Sequence, residues 1–195
     1  MGKAKLGIQA VAAVFLFWAI PAVSATPLET MEGHVHQVLG VLQDPALERK
    51  TKEEKIWTMV QTMFDFPELS KRTLGRGWRK LDPNQRHTFT DLFSRLLAEV
   101  YMDRILSYKD EKVIFEKEKI KSDHYADVEG RIITETEPIS MVYRVIQEKG
   151  QWRVYDVVIE GVSLIKNYRS QFNEILRNKT PDDLIELIRK KLEGS

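Results

Sequence analysis

Four histidines and no cysteine set the first limits on the chemistry open to this 195-residue chain. Without cysteine there are no disulfides, thiolate nucleophiles, Cys-ligated zinc sites or iron–sulfur clusters. His34 and His36 stand two apart in a helical pattern and diverge, while His87 and His124 are isolated, so no pair has metal-ligand spacing. No glycine-rich phosphate loop, nucleophile elbow or His-Glu-x-x-His helix occurs. One carboxylate remains. Asp156 alternates with Trp152, Val154 and Val158 along a β-type run, and an acid in an apolar cone could abstract a proton. No second acid, base or oxyanion donor accompanies it, so a salt bridge within the fold is the simpler role.

Two other groupings could bind rather than react. Lys71, Arg72, Arg76, Arg79, Lys80 and Arg86 gather in one segment with Asp82 as the only acid between them. Such a cluster is a solvated face around a bend, or a place to meet a phosphate or an acidic partner surface. Large apolar side chains are also abundant, among them Phe64, Phe66, Trp78, Phe89, Phe93, Tyr101, Tyr143, Trp152, Tyr155, Tyr168 and Phe172. The same residue types fill a core or line a cavity, and periodicity alone does not separate the two.

The elements that must position these groups read as follows. Lys3 and Lys5 precede an apolar stretch from Leu6 to Ile20, and Pro21 leads to Val23-Ser24-Ala25. This pattern predicts an export signal over 1–25, cleaved after Ala25, and a single domain over 26–195. The apolar run is short for a membrane anchor, and a lipoprotein anchor would need a cysteine. Hydrophobic residues make up 43% of the chain, and 30 basic side chains face 29 acidic ones, so neither a disordered chain nor a nucleic-acid binder is expected.

Thr26-Pro27-Leu28-Glu29 predicts a capping box, followed by Met31, Val35, Val38, Leu39 and Leu42 at helical spacing. Asp44-Pro45 interrupts, and a second amphipathic helix carries Ile56, Met59, Val60, Met63 and Phe64. A short segment with Gly75 and Gly77 reads as a bend. Asp82-Pro83-Asn84-Gln85 then starts a long helix bearing Phe89, Leu92, Phe93, Leu96, Leu97, Val100 and Tyr101. Four strands are predicted near 113–120, 126–134, 139–148 and 152–160, joined by short turns into an antiparallel meander whose charged first strand suits an exposed edge. Val162, Ile165, Tyr168, Phe172, Ile175 and Leu176 form a helical face, and Thr180-Pro181-Asp182-Asp183 caps a last helix. The expected class is α+β, with helices covering one face of a four-stranded antiparallel sheet.

The run Phe64-Asp65-Phe66, Leu69-Ser70-Lys71-Arg72, Leu74-Gly75, Trp78, Leu81, Gln85-Arg86, Phe89, Phe93, Leu96-Leu97 and Tyr101 resembles the MlaC family of toluene-tolerance type phospholipid carriers. So does Trp152-Arg153-Val154-Tyr155-Asp156-Val157, with Ile159-Glu160-Gly161-Val162-Ser163-Leu164 and Asn167-Tyr168-Arg169-Ser170-Gln171-Phe172 after it. The resemblance implies a monomeric periplasmic shuttle of a Gram-negative cell, enclosing the acyl chains of a glycerophospholipid. It further implies exchange with an MCE-domain protein of an inner-membrane ABC transporter and with an outer-membrane lipoprotein complex, so maintaining outer-membrane lipid asymmetry. No catalysis, cofactor, metal or nucleic acid is expected. Phe93, Leu97, Tyr101, Val142, Val158, Val162 and Phe172 are the expected acyl-chain lining, and the Lys71 to Arg86 cluster is the candidate head-group or partner surface. A small enzyme using Asp156 and a non-catalytic periplasmic adaptor with a filled core are the competing readings.

Overall fold

The computed structural model describes residues 25–108 and 112–194, so the predicted leader before Ala25 lies outside the described residues. Capping determines where the helices begin. Thr26 and Glu29 form the expected reciprocal box ahead of α1 (Pro27–Gln43), and Asp82 with Gln85 does the same for α4 (Pro83–Leu106). Thr180 with Asp183 starts α6 (Pro181–Glu193). In each case a proline follows the cap, where its missing N–H costs nothing. Between α1 and α4 lie α2 (Arg49–Met63), α3 (Phe66–Leu74) and one 3₁₀ segment, Gly75–Lys80. The bend expected there is made by Gly75, whose φ of 53° lies in the left-handed region. Among the described residues no helix is long and apolar enough to cross a membrane.

The sheet is antiparallel with strands in chain order: β1 (Lys112–Ser122), β2 (Tyr125–Ile133), β3 (Ile139–Glu148), β4 (Gln151–Ile159) and β5 (Val162–Ser163). The fifth strand was not expected. Glu160 and Gly161, with φ of 48° and 76°, reverse the chain tightly enough to pair Ile159 with Val162 before α5 (Leu164–Asn178) starts. Val162 therefore belongs to a strand and not to the helical face predicted for it. β1 is the free edge, as its charge implied. Beside β4, Phe64 bridges to Val154 and the Asp65 N–H donates to the Val154 carbonyl at 2.8 Å.

Helices cover both faces of the sheet, not one. Leu28 and Met31 of α1 and Met63 of α2 pack with Ala126, Val128, Val145 and Val154 on what is here called the inner face. On the outer face α5 and α3 approach β4, with Leu69, Phe93, Ile165, Tyr168 and Phe172 in a second core shared with α4 and α6. A third cluster joins Val41 and Leu42 of α1, Ile56 of α2 and Met102 of α4. Gly130 is required by the β1–β2 approach: a Cβ there would lie 2.5 Å from the Ile114 carbonyl oxygen.

A register slip in β4 reverses its two halves. Val154 pairs with Val145, but the next pair is Asp156 with Arg144, leaving Tyr155 as an extra residue. Because Val145 and Arg144 are adjacent on regular β3, they point to opposite faces. Trp152 and Val154 thus face inward, whereas Asp156 and Val158 face outward. The expectation that all four share one face is corrected by this bulge.

Candidate functional site

The inner face is apolar but not closed from solvent along its whole length. Toward the Trp152 end, Met31, Met63, Val128, Val145 and Val154 are closed off from solvent. Further along, Leu28, Phe115, Tyr143 and Val157 pack against the same cluster and yet keep accessible surface. The Phe115 and Tyr143 rings stack with centroids 6.1 Å apart. Burial pushes the Tyr143 hydroxyl up to about 12, so it stays protonated at neutral pH. Beyond Phe115 the sheet continues apolar. Val113, Ile132 and Ile139 are partners across β1, β2 and β3, and Met141, Ile159 and Val162 across β3, β4 and β5. Ile159 is 42% exposed and Val162 63%. A hollow of about 220 Å³ opens beside this end, lined by Glu32, Val35, His36 and Leu39 of α1 and by Val113, Ile114 and Phe115 of β1.

The predicted lining residues separate into groups. Phe93 and Phe172 are 0% and 5% exposed and belong to a packed aromatic cluster, with ring centroids 5.3 Å apart and Tyr168 5.0 Å from Phe93. Leu97 lies in that core, and Tyr101 is half-buried against it. These four fill space between α4 and α5. Val142 and Val158 are register partners on the outer face. Val162, partner of Ile159, is the one predicted residue on the inner-face side. Sequence reasoning passed over Phe115, because it sits among the charges of β1, and Val157, because the bulge moves it inward. Tyr143 was noted as a large apolar residue without a place.

Asp156 is 1% exposed and held on every side. Its Oδ2 accepts from Arg144 Nη1 at 2.9 Å and from Ser163 Oγ at 2.7 Å, and its Oδ1 accepts from the Ile165 N–H at 3.0 Å. Ser163 in turn caps α5 by accepting from the Lys166 N–H. The carboxylate therefore ties the first turn of α5 to the sheet, where the helix dipole also favours a negative charge.

The basic cluster also divides. Lys71 and Arg72 pair with Glu68 at 2.9 and 2.7 Å, which together hold the Glu68 carboxyl below its ordinary range against the opposing effect of burial. Arg72 further lies over the Tyr155 ring at 4.2 Å and bonds the Tyr125 hydroxyl, fastening α3 to the outer face. Arg86 covers the Trp78 ring and donates to the Trp78 carbonyl. Arg76, Arg79 and Lys80 are exposed on the 3₁₀ segment and, among the described residues, form no ion pair. A second hollow, about 450 Å³ between the starts of α4 and α6, is polar, and there Gln85 Nε2 donates to Asp182 Oδ1. Among the described residues no group of three or more His, Asp or Glu is arranged to hold a metal.

Comparison with known proteins places this arrangement. The family described as MlaC protein matches residues 32–190. The toluene tolerance protein ttg2D of Pseudomonas putida is 21% identical over 184 residues, covering 91% of this chain and 85% of that one. An intermembrane phospholipid transport system binding protein, MlaC of Haemophilus influenzae, is 28% identical over 119 residues, or 58% of this chain and 56% of that one. In three dimensions the fold matches a phospholipid-binding protein from Ralstonia solanacearum, solved in complex with a phospholipid. The TM-score is 0.78 at 24% identity, covering 87% of this chain and 98% of that one. With the family match running from α1 to the last turns of α6, the chain belongs to the MlaC family.

Proposed function

We propose that this protein is a periplasmic phospholipid carrier, exported by a leader over 1–25 and acting through 26–195 as a single lipid-binding domain. The observation that carries the reading is the inner face, where Phe115, Tyr143 and Val157 keep accessible apolar surface beneath the α1 and α2 layer. Surface of this kind is stabilised by an apolar ligand. One relative and one structural neighbour in the comparison are described by phospholipid transport or phospholipid binding, which gives that ligand its class.

Burying a methylene is worth about 0.8 kcal/mol, so a chain of roughly 16 carbons gains on the order of 12 kcal/mol relative to water. Two such chains would exceed the ceiling for noncovalent affinity if water were the competitor. The bilayer is the competitor and buries the chains almost as well, so near parity with a membrane suffices. Release into water stays prohibitively slow, and lipid passes by docking. The partners are an MCE-domain protein of an inner-membrane ABC transporter and an outer-membrane lipoprotein complex, and the cycle maintains outer-membrane lipid asymmetry. Direction comes from ATP hydrolysis in the transporter. The Asp156 carboxylate, fully taken up in anchoring α5, supports a binding role over an enzymatic one.

The test is transfer from carrier loaded with a fluorescent phospholipid. Fluorescence should stay with the protein in buffer and move only when an acceptor is added. Ready loss into buffer would refute transfer by docking.

A further inference from the structure

Tyr143 is a polar group in an apolar setting. On the inner face its nearest neighbours are Val128 and Val157 across the two flanking strands and Met141 and Val145 along β3, with the Phe115 ring stacked on it. Among the described residues its hydroxyl makes no hydrogen bond, and it keeps some accessible surface, so water can reach it in the empty protein. A ligand that fills this face displaces that water, and a phenol then left without a partner would weaken binding, a cost that phenylalanine would not carry. The hydroxyl is therefore explained by an acceptor that arrives with the ligand.

The chemistry of the surroundings selects the acceptor. Hydrocarbon chains offer none. A phosphate would need a cation, and the cation next along the strand, Arg144, projects from the opposite face to Asp156. The ester carbonyls at the junction of acyl chain and glycerol are neutral acceptors bordered by hydrocarbon, which matches one donor among valines and a phenylalanine. Resting on the carrier reading above, we infer that the Tyr143 hydroxyl donates a hydrogen bond to an ester carbonyl of a diacyl glycerophospholipid, making the carrier selective for ester-linked over ether-linked chains. The hydroxyl is a reliable donor because burial keeps it protonated well beyond physiological pH.

The experiment loads lipid-stripped mature protein from an equimolar mixture of diacyl and dialkyl-ether phosphatidylethanolamine of matched chain length, and counts each species by native mass spectrometry. The wild type should enrich the diacyl lipid about tenfold, equivalent to about 1.4 kcal/mol. Tyr143→Phe should take up both species equally, as should Tyr143→Leu, a second variant that also removes the ring. No preference in the wild type, or a preference that survives Tyr143→Phe, overturns the inference while leaving the carrier reading intact. Uptake of neither lipid by the wild type overturns both.

Discussion

Replacing Asp156 with alanine separates a structural carboxylate from a catalytic one. The substitution removes the acceptor for three donors. Two of these, the Ile165 N–H and the Ser163 hydroxyl, belong to residues only 5% and 3% exposed, so water cannot readily replace the lost partner. The third, Arg144, is 34% exposed and regains part of its hydration, which reduces its share. Leaving two buried donors unsatisfied and one partly buried cation unpaired is expected to cost about 3 kcal/mol. In a domain of this size that is a fall in Tm of about 6–12 °C. Urea unfolding of lipid-stripped protein, followed by far-UV circular dichroism, gives the free energy directly. Asp156→Asn, which keeps the shape and part of the acceptor capacity, should lose roughly half as much. A loss under about 1 kcal/mol for the alanine variant would show that Asp156 does not anchor α5, and a measurable turnover abolished with it would return the enzyme reading.

Other outcomes follow from the packing. Gly130→Ala sets a Cβ against the Ile114 backbone, which cannot yield as a side chain would, so about 1–3 kcal/mol should be lost in the same assay. Phe93→Ala should cost about 3–5 kcal/mol while the folded fraction keeps its lipid, because Phe93 is core. Val157→Glu should do the reverse, folding with a modest loss and retaining little lipid on extraction; equal lipid content in both variants would remove the inner face from the account. Tyr143 titrates near 10 when unfolded and is raised to about 12 when folded, so its neutral form contributes stability that is intact below pH 10. That contribution should drain away as the pH rises toward 12, and Tyr143→Phe should flatten this part of the urea-midpoint profile.

Helix boundaries were legible in the sequence because they rest on local chemistry. Thr26, Asp82 and Thr180 are followed by proline and a side chain that reaches back, and each starts a helix as its spacing implies. The free edge was equally plain from the charges of β1. The bulge at Tyr155 was not legible. Both faces of β4 are covered, so Trp152, Val154, Asp156 and Val158 are all buried, and the alternation looks unbroken although its direction changes halfway. That single extra residue decides which valine of β4 faces inward. The apolar stripe of α4 was read correctly as buried except at Val100, which is 39% exposed, but only the ring contacts among Phe93, Tyr168 and Phe172 show that it fills its space. Phe115 was hidden for the opposite reason, being the one ring in a strand dominated by charge.

The central claim is that the mature protein carries phospholipid on the inner face of its sheet. Purification from a bacterial periplasm without detergent, then native mass spectrometry and lipid extraction, tests it most directly. A bound phospholipid in stoichiometric amount, lost in Val157→Glu but kept in Val158→Glu if that variant folds, is the predicted result. A compact protein that carries no lipid, and accepts none when mixed with phospholipid vesicles and re-isolated, would contradict it and favour a periplasmic adaptor.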